Sequence, residues 1–284
     1  MTRIPALSDY PVESSALPAL AGFGFTVAVV ASELDADGRA RTLVEAGEVE
    51  EIFPFASVTK PIVAWSALVA VERGLLDLEA PAGAGTAHSP AGAGTAHAPA
   101  GAGTAHSPAG PTLPGATVRH LLAHASGIAF DSDAVLAAPG TRRIYSNRGI
   151  EVLGELLEEA TATPLERWVE MTVLEPLGMS SVLMPGSPAH SGEGSARDLA
   201  VFARELAAPR LVGADLAAEA TSVAFPGLDG VLPGYGRQTP NDFGLGVEVR
   251  GRKHPHWTGS ANSPATFGHF GQSGSFIWVD PVAR

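Results

Sequence analysis

Three short stretches carry residues whose types and spacing can do acyl-transfer chemistry: Ser57-Val-Thr-Lys60, Tyr145-Ser-Asn147 and His269-Phe-Gly271. Residues i and i+3 of a helix share a face, so the Ser57 hydroxyl and the Lys60 amine can meet. A serine hydroxyl is a weak nucleophile until a neighbour takes its proton. A buried lysine beside another proton carrier has a lowered pKa and can do so. Tyr145 is the candidate second carrier, as a phenolate or as a phenol relaying the proton to the leaving group. Asn147 can orient Lys60 and hydrogen-bond a substrate amide. The Ser57 N–H, near a helix N-terminus, favours an anion and offers half of an oxyanion hole. A strand N–H just after Gly271 offers the other half.

Taken singly, each stretch has a plainer reading. Ser57 alone is a helix N-cap, Tyr145 alone a buried aromatic and His269 alone a strand histidine. Their joint occurrence, in this order, favours catalysis. Lysine usage adds weight: the chain has sixteen arginines and only Lys60 and Lys253. Arginine keeps its proton under all ordinary conditions, whereas lysine can act as a base.

The elements that must position these residues follow from periodicity. Gly22 to Ser32 and Ala40 to Gly47 read as a hairpin about the turn Asp35-Ala-Asp-Gly38. A helix is predicted from Ser57 to Arg73, apolar on most of its circumference and therefore buried on several sides, with Ser57 at its N-terminus. Thr117 onward is helical to near Gly127. Gly149 to Ala160, Pro164 to Leu174 and Ala196 to Ala207 read as further helices, the last capped by Ser195. Phe243 to Val249, Thr266 to Gly271 and Ser275 to Val279 read as strands. Strands first, helices in the middle and strands last call for an α+β fold whose antiparallel sheet draws on both chain ends. The expected lobes are a sheet lobe at about 20–56 and 240–284 and a helical lobe at about 57–225. Residues 81–110 hold a nonapeptide repeat, PAGAGTAHS, PAGAGTAHA, PAGAGTAHS, and read as a flexible insertion.

Composition narrows the function. Hydrophobic residues are 45% and charged residues 17%, which fits a globular chain. A net charge of −12 argues against nucleic acid and against an anionic membrane surface. The absence of cysteine excludes disulfides, thiolate catalysis and iron–sulfur clusters. His88, His97 and His106 recur by tandem duplication rather than as ligands. His120 and His124 stand at i, i+4 but lack the intervening glutamate of a zincin. His254 and His256 read as loop residues. No metal and no organic cofactor is expected. No secretory or membrane-length apolar run is seen, so a cytoplasmic location is expected.

The three stretches resemble the S-x-x-K, Y-x-N and K/H-x-G elements of the serine β-lactamase-like superfamily. The likeness is to the branch that holds class C β-lactamases, penicillin-binding proteins and esterases. The segments TVRHLLAHASGI and FGHFGQSGSFIWVDP are similar to this branch too. The resemblance implies an acyl-enzyme: Ser57 attacks a carbonyl, Lys60 and Tyr145 manage the proton, and water hydrolyses the ester. It assigns substrate binding to Asn147, His269 and Gly271, and the second oxyanion N–H to Gln272. Two departures bear on substrate. His269 stands where many members carry a lysine that pairs with a substrate carboxylate. A neutral histidine weakens that clamp. The expected substrate is therefore a small ester or amide, with β-lactamase or D-alanyl-D-alanine carboxypeptidase activity, or an inactive binding homologue, as alternatives. The sequence also stops at Arg284, where members of the branch continue with an edge strand and a terminal helix, so an unpaired edge is expected on the N-terminal hairpin. Oligomeric state is not legible.

Overall fold

A computed structural model describes residues 20–35, 38–83 and 112–283. The repeat tract from residue 84 to residue 111, including His88, His97 and His106, lies outside the described residues. Strands β1 (Ala28–Leu34) and β2 (Ala40–Gly47) form the antiparallel hairpin, with an irregularity in register between Ala31 and Ser32. Gly47, opposite Ala28 at the open end of the hairpin, has φ +78°, and a Cβ there would meet the Val27 carbonyl oxygen at 2.0 Å, so only glycine fits. β3 (Ile52–Pro54) pairs with β4 (Glu193–Ser195), which brings the middle of the chain beside the approach to the first helix.

That helix, α1 (Thr59–Glu72), is buried along almost its whole length, from Thr59 to Ala70. Apolar residues around its full circumference require neighbours on every side. They are α3 (Asn147–Thr161), α4 (Leu165–Val169) and the wide π-type turn at Glu170–Leu174 that follows. Trp65 and Trp168 bury their rings here and satisfy their N–H groups on Glu205 (3.1 Å) and the Ser66 carbonyl (3.0 Å). Each fully buried Leu or Ile in this cluster contributes roughly 1.5–3 kcal/mol, so α1 is held by its surroundings and not by capping.

The start of α1 differs from the expectation. Ser57 is not its N-cap. It lies in a 3₁₀ turn, Ala56–Val58, and the helix proper begins at Thr59. Ala56 is in the left-handed region at φ +46°, a strained position for a residue with a Cβ. Thr59 fastens the turn: its hydroxyl donates to the Ala56 carbonyl (2.7 Å) and accepts from the Gly192 N–H (2.8 Å). The helix after Thr117 is also shorter than expected, α2 (Val118–Leu122), with Thr117 and His120 forming a reciprocal cap. The third helix of the run ends in α5 (Glu175–Leu177). Ser195 caps α6 (Ala196–Ala207), accepting from the Asp198 N–H at 3.1 Å, and α7 (Ala214–Ala220) follows.

β5 (Gly230–Leu232) and β6 (Gly236–Gln238) form a small hairpin. The strand expected at 243–249 shrinks to β7 (Glu248–Val249), because the backbone ahead of it bends, with Gly246 at φ +91°, and the N–H groups of Leu245 and Gly246 go to the carbonyls of Ala220 and Leu122. β7 pairs with β8 (Phe267–Phe270), which pairs with β9 (Phe276–Val279). The N- and C-terminal strands thus form two antiparallel ladders rather than one continuous ladder, and α6 packs against both β1 and β9. No helix among the described residues is long and apolar enough to cross a membrane.

Candidate active site

Four segments converge on Ser57. The 3₁₀ turn carries Ser57 and α1 carries Lys60. The loop ahead of α3 carries Tyr145, and Asn147 is the first residue of α3 itself, not of the loop. β8 carries His269, and Gly271 directly follows its end.

The Lys60 amine is buried and donates to three acceptors: Ser57 Oγ at 3.0 Å, Asn147 Oδ1 at 2.7 Å and the Ala189 carbonyl at 2.8 Å. Burial lowers its pKa from 10.5 to about 7, while the nearby carboxylates of Asp131 and Glu151 hold it up. A free amine at neutral pH is therefore accessible, already in contact with the serine oxygen. The Tyr145 ring lies 4.7 Å from Lys60 Nζ, and its hydroxyl is hydrogen-bonded to Ser57. Burial pushes the Tyr145 pKa up, well beyond its usual value. The phenol form is thus favoured at neutral pH, which supports the relay over the phenolate.

The tyrosine is placed by a buried arginine. Arg143 is 1% exposed and donates to the carbonyls of Ala123, Asn241, Ala224 and Phe225. With the Ile144 N–H on the His124 carbonyl (2.9 Å), it pins the backbone that leads into Tyr145. His124, also fully buried, tilts against the Tyr145 ring at 4.6 Å between centroids and accepts the Ser146 N–H. Burial holds its pKa well below the usual value, so it is a neutral packing partner. His120 stacks on Phe225 and joins no ligand set; among the described residues no cluster of His, Asp and Glu is arranged to hold a metal.

Asp131 was not singled out from the sequence. Its carboxylate accepts from Asn147 Nδ2 at 2.7 Å. This fixes the amide so that Oδ1, and not Nδ2, faces the lysine. Asp131→Ala should therefore act in two ways. Loss of the negative charge lowers the Lys60 pKa, so the acid limb of the pH–rate profile moves to lower pH. The freed amide can turn, and kcat at high pH falls about tenfold. A pH–kcat/KM profile of the variant separates this positioning role from a simple loss of stability, which would leave the limb in place.

The late strand is built from behind. Glu248, 1% exposed, pairs with buried Lys253 and accepts from His256 (2.9 Å) and Trp257 (2.7 Å). Hydrogen bonding to His256 and the Lys253 charge keep the Glu248 carboxylate ionised despite burial. Lys253, read as part of a turn, and His256, read as a loop residue, thus turn their side chains inward to form a buried ionic brace with Glu248, while His254 and Pro255 between them stay exposed. His269 on β8 is 2% exposed, and burial takes its pKa down to about 4. Its Nδ1 lies 2.8 Å from the Phe270 carbonyl, which requires a proton on Nδ1 and leaves Nε2 a lone pair. That Nε2 is buried without a partner among the described residues.

Gly271 lies against the 3₁₀ turn that carries Ser57: a Cβ there would stand 2.3 Å from the Phe55 carbonyl oxygen and 3.1 Å from Ala56 Cβ. The hydroxyls of Ser273 and Ser275 both donate to the Pro54 carbonyl at 2.7 Å, a staple between the two segments that sequence periodicity does not reveal. Among the described residues no backbone carbonyl takes the N–H of Ser57 or of Gln272.

Residues 24–284 match the family model described as Beta-lactamase. Among solved structures the chain is similar to a beta-lactamase from Mycobacterium bovis, 46% identical over 94% of this chain and 87% of that one, with a TM-score of 0.78. A D-stereospecific amidohydrolase from a Streptomyces species shares the fold at 20% identity and a TM-score of 0.59, over 94% of this chain and 89% of that one. A curated Salmonella paratyphi B protein named "Putative D-alanyl-D-alanine carboxypeptidase" is 29% identical over 51% of this chain. The match spans 44% of that relative's length.

Proposed function

The chain belongs to the beta-lactamase family, and from that premise we propose that it is a serine hydrolase working through an acyl-enzyme on a small ester or amide. The observation that carries this reading is the contact of Lys60 Nζ with Ser57 Oγ at 3.0 Å, in a setting that lowers the lysine pKa to about 7.

In this reading Ser57 Oγ attacks the substrate carbonyl and its proton passes to the neutral Lys60 amine. The Ser57 and Gln272 N–H groups receive the charge that develops on the carbonyl oxygen. The Lys60 proton returns through the Tyr145 phenol to the leaving oxygen or nitrogen as its bond to carbon breaks. Water then repeats the sequence on the ester of Ser57. Asn147 holds Lys60, and Gly271 permits β8 to approach.

The substrate preference rests on His269. At neutral pH it is uncharged and buried, so it offers no fixed positive charge to a carboxylate. This supports esters and small amides over penicillins. The second reading, a β-lactamase or D-alanyl-D-alanine carboxypeptidase, is favoured by the names of the M. bovis and Salmonella relatives. Parallel turnover of a short-chain p-nitrophenyl ester and of nitrocefin decides between them. Ester turnover well above nitrocefin turnover is expected; strong nitrocefin turnover with no ester activity overturns the preference. The expected cytoplasmic location is tested by fractionation of the native host.

The acid limb follows from the lysine. The reactive form is the free amine, so kcat/KM should fall about tenfold per pH unit below a midpoint near 7. Because the His269 pKa lies near 4, that histidine adds no second limb between pH 5 and pH 9. A stopped-assay profile with p-nitrophenyl acetate reads both statements.

A further inference from the structure

The strongest feature outside the catalytic group is a largely apolar cavity bordered by Tyr145. It has a volume of about 310 Å³ and is lined by Phe130, Leu136, Ile144, Tyr145, Val231 and Pro233, with Arg142 and Arg143 completing the wall; the Arg143 guanidinium is spent on backbone carbonyls. Three of these are large apolar side chains left in water: Phe130 is 49% exposed, Leu136 60% and Val231 53%. Their exposure is set by the backbone. In β5, Gly230 and Leu232 are buried while Val231 faces out, as alternation along a strand requires. An isolated bridge between Arg143 and Gly230 fixes β5 beside the tyrosine loop. The Phe130 ring stacks on Tyr145 at 6.1 Å, so one wall of the cavity is continuous with a catalytic side chain. Apolar surface gathered around one concavity beside a reactive group is the form a ligand subsite takes.

We propose that this cavity is the leaving-group subsite, and that it takes an alkyl or aryl group attached to the atom that Tyr145 protonates. The assignment to the leaving side follows from the lining. Tyr145 borders the cavity, whereas Ser57, Gln272 and His269 do not. The group that reaches it is therefore the one bonded to the oxygen or nitrogen beside the phenol, not the acyl group held at Ser57. The substrate class narrows to esters or amides of an apolar alcohol, phenol or amine. This rests on the acyl-enzyme reading above.

The test uses acetates of phenol and of 4-methyl-, 4-ethyl- and 4-propylphenol. Their leaving groups have nearly equal acidity, so intrinsic reactivity stays constant. kcat/KM should rise roughly three- to fourfold for each methylene buried, and Val231→Asp or Leu136→Asp should flatten the series with the melting transition unchanged. A flat wild-type series with phenyl acetate still hydrolysed overturns the proposal. So does a steep series that both aspartate variants leave unchanged, or one that appears only when the acyl chain is lengthened. The parent 4-alkylphenols, followed by ligand-observed NMR, provide a readout that needs no turnover. Tighter binding along the series, in wild type and Ser57→Ala alike, supports the subsite even if every acetate proves inert, in which case the reading of the function fails and the cavity stands. Absence of phenol binding together with a flat series removes the subsite.

Discussion

Lys60→Ala is expected to lower the acylation rate by about 10³-fold or more with Ser57 in place. The reason is local. The amine is the group in contact with Ser57 Oγ whose pKa lies near neutrality. Tyr145 cannot replace it, because burial raises the phenol pKa and leaves no phenolate at pH 7. Lys60→Arg should fail to rescue, since a guanidinium cannot give up its proton there. The alanine variant leaves Asn147 Oδ1 and the Ala189 carbonyl without their donor, which costs stability. Lys60→Met keeps the volume, so a loss of activity in that variant with an unchanged melting transition isolates the chemistry. The p-nitrophenol burst on mixing with p-nitrophenyl acetate measures the acylation step itself.

The second large effect is expected at Gly271. An added methyl would meet the Phe55 carbonyl oxygen at 2.3 Å, and backbone on both sides leaves no flexible atom to give way. The end of β8 must then move away from the 3₁₀ turn, and the Gln272 N–H moves with it. Gly271→Ala should reduce kcat by about 10²- to 10³-fold, the range for loss of one oxyanion donor. Gln272→Ala is the informative contrast. Its side chain is exposed and only its N–H is assigned a role, so its kcat should stay within about threefold of wild type. A strong effect at Gln272 with none at Gly271 would move the assignment from backbone to side chain.

The parts of the site legible in the sequence are those with local signatures. Ser57 and Lys60 are three residues apart, and the structure places them in contact. The full burial of α1 follows from apolar residues on all its faces. Ser195 as a cap is likewise a short-range pattern. What was not legible depends on residues brought together from far along the chain. Asp131 meets Asn147 across sixteen positions, in a loop with no periodicity to mark it. The Ser273 and Ser275 staple reaches Pro54 from the other end of the chain. Lys253 reads as part of a turn and His256 as a loop residue, and both lie in irregular backbone, but only the fold shows that Glu248 draws their side chains inside and that the three satisfy one another. The start of α1 was misread for a related reason: Ser57 has the chemistry of an N-cap, but its hydroxyl is engaged by Lys60 and the turn is fastened instead by Thr59.

The central claim is that Ser57 is a nucleophile activated by Lys60. Its most direct test is intact-mass analysis after reaction with a fluorophosphonate probe, run on wild type, Ser57→Ala and Lys60→Met. The account predicts one adduct per chain on the wild type, mapped to the Ser57 peptide, with none on Ser57→Ala and labelling of Lys60→Met slowed by about 10³-fold. A folded wild type that takes no label, or a Ser57→Ala variant that labels as fast as wild type, would contradict it.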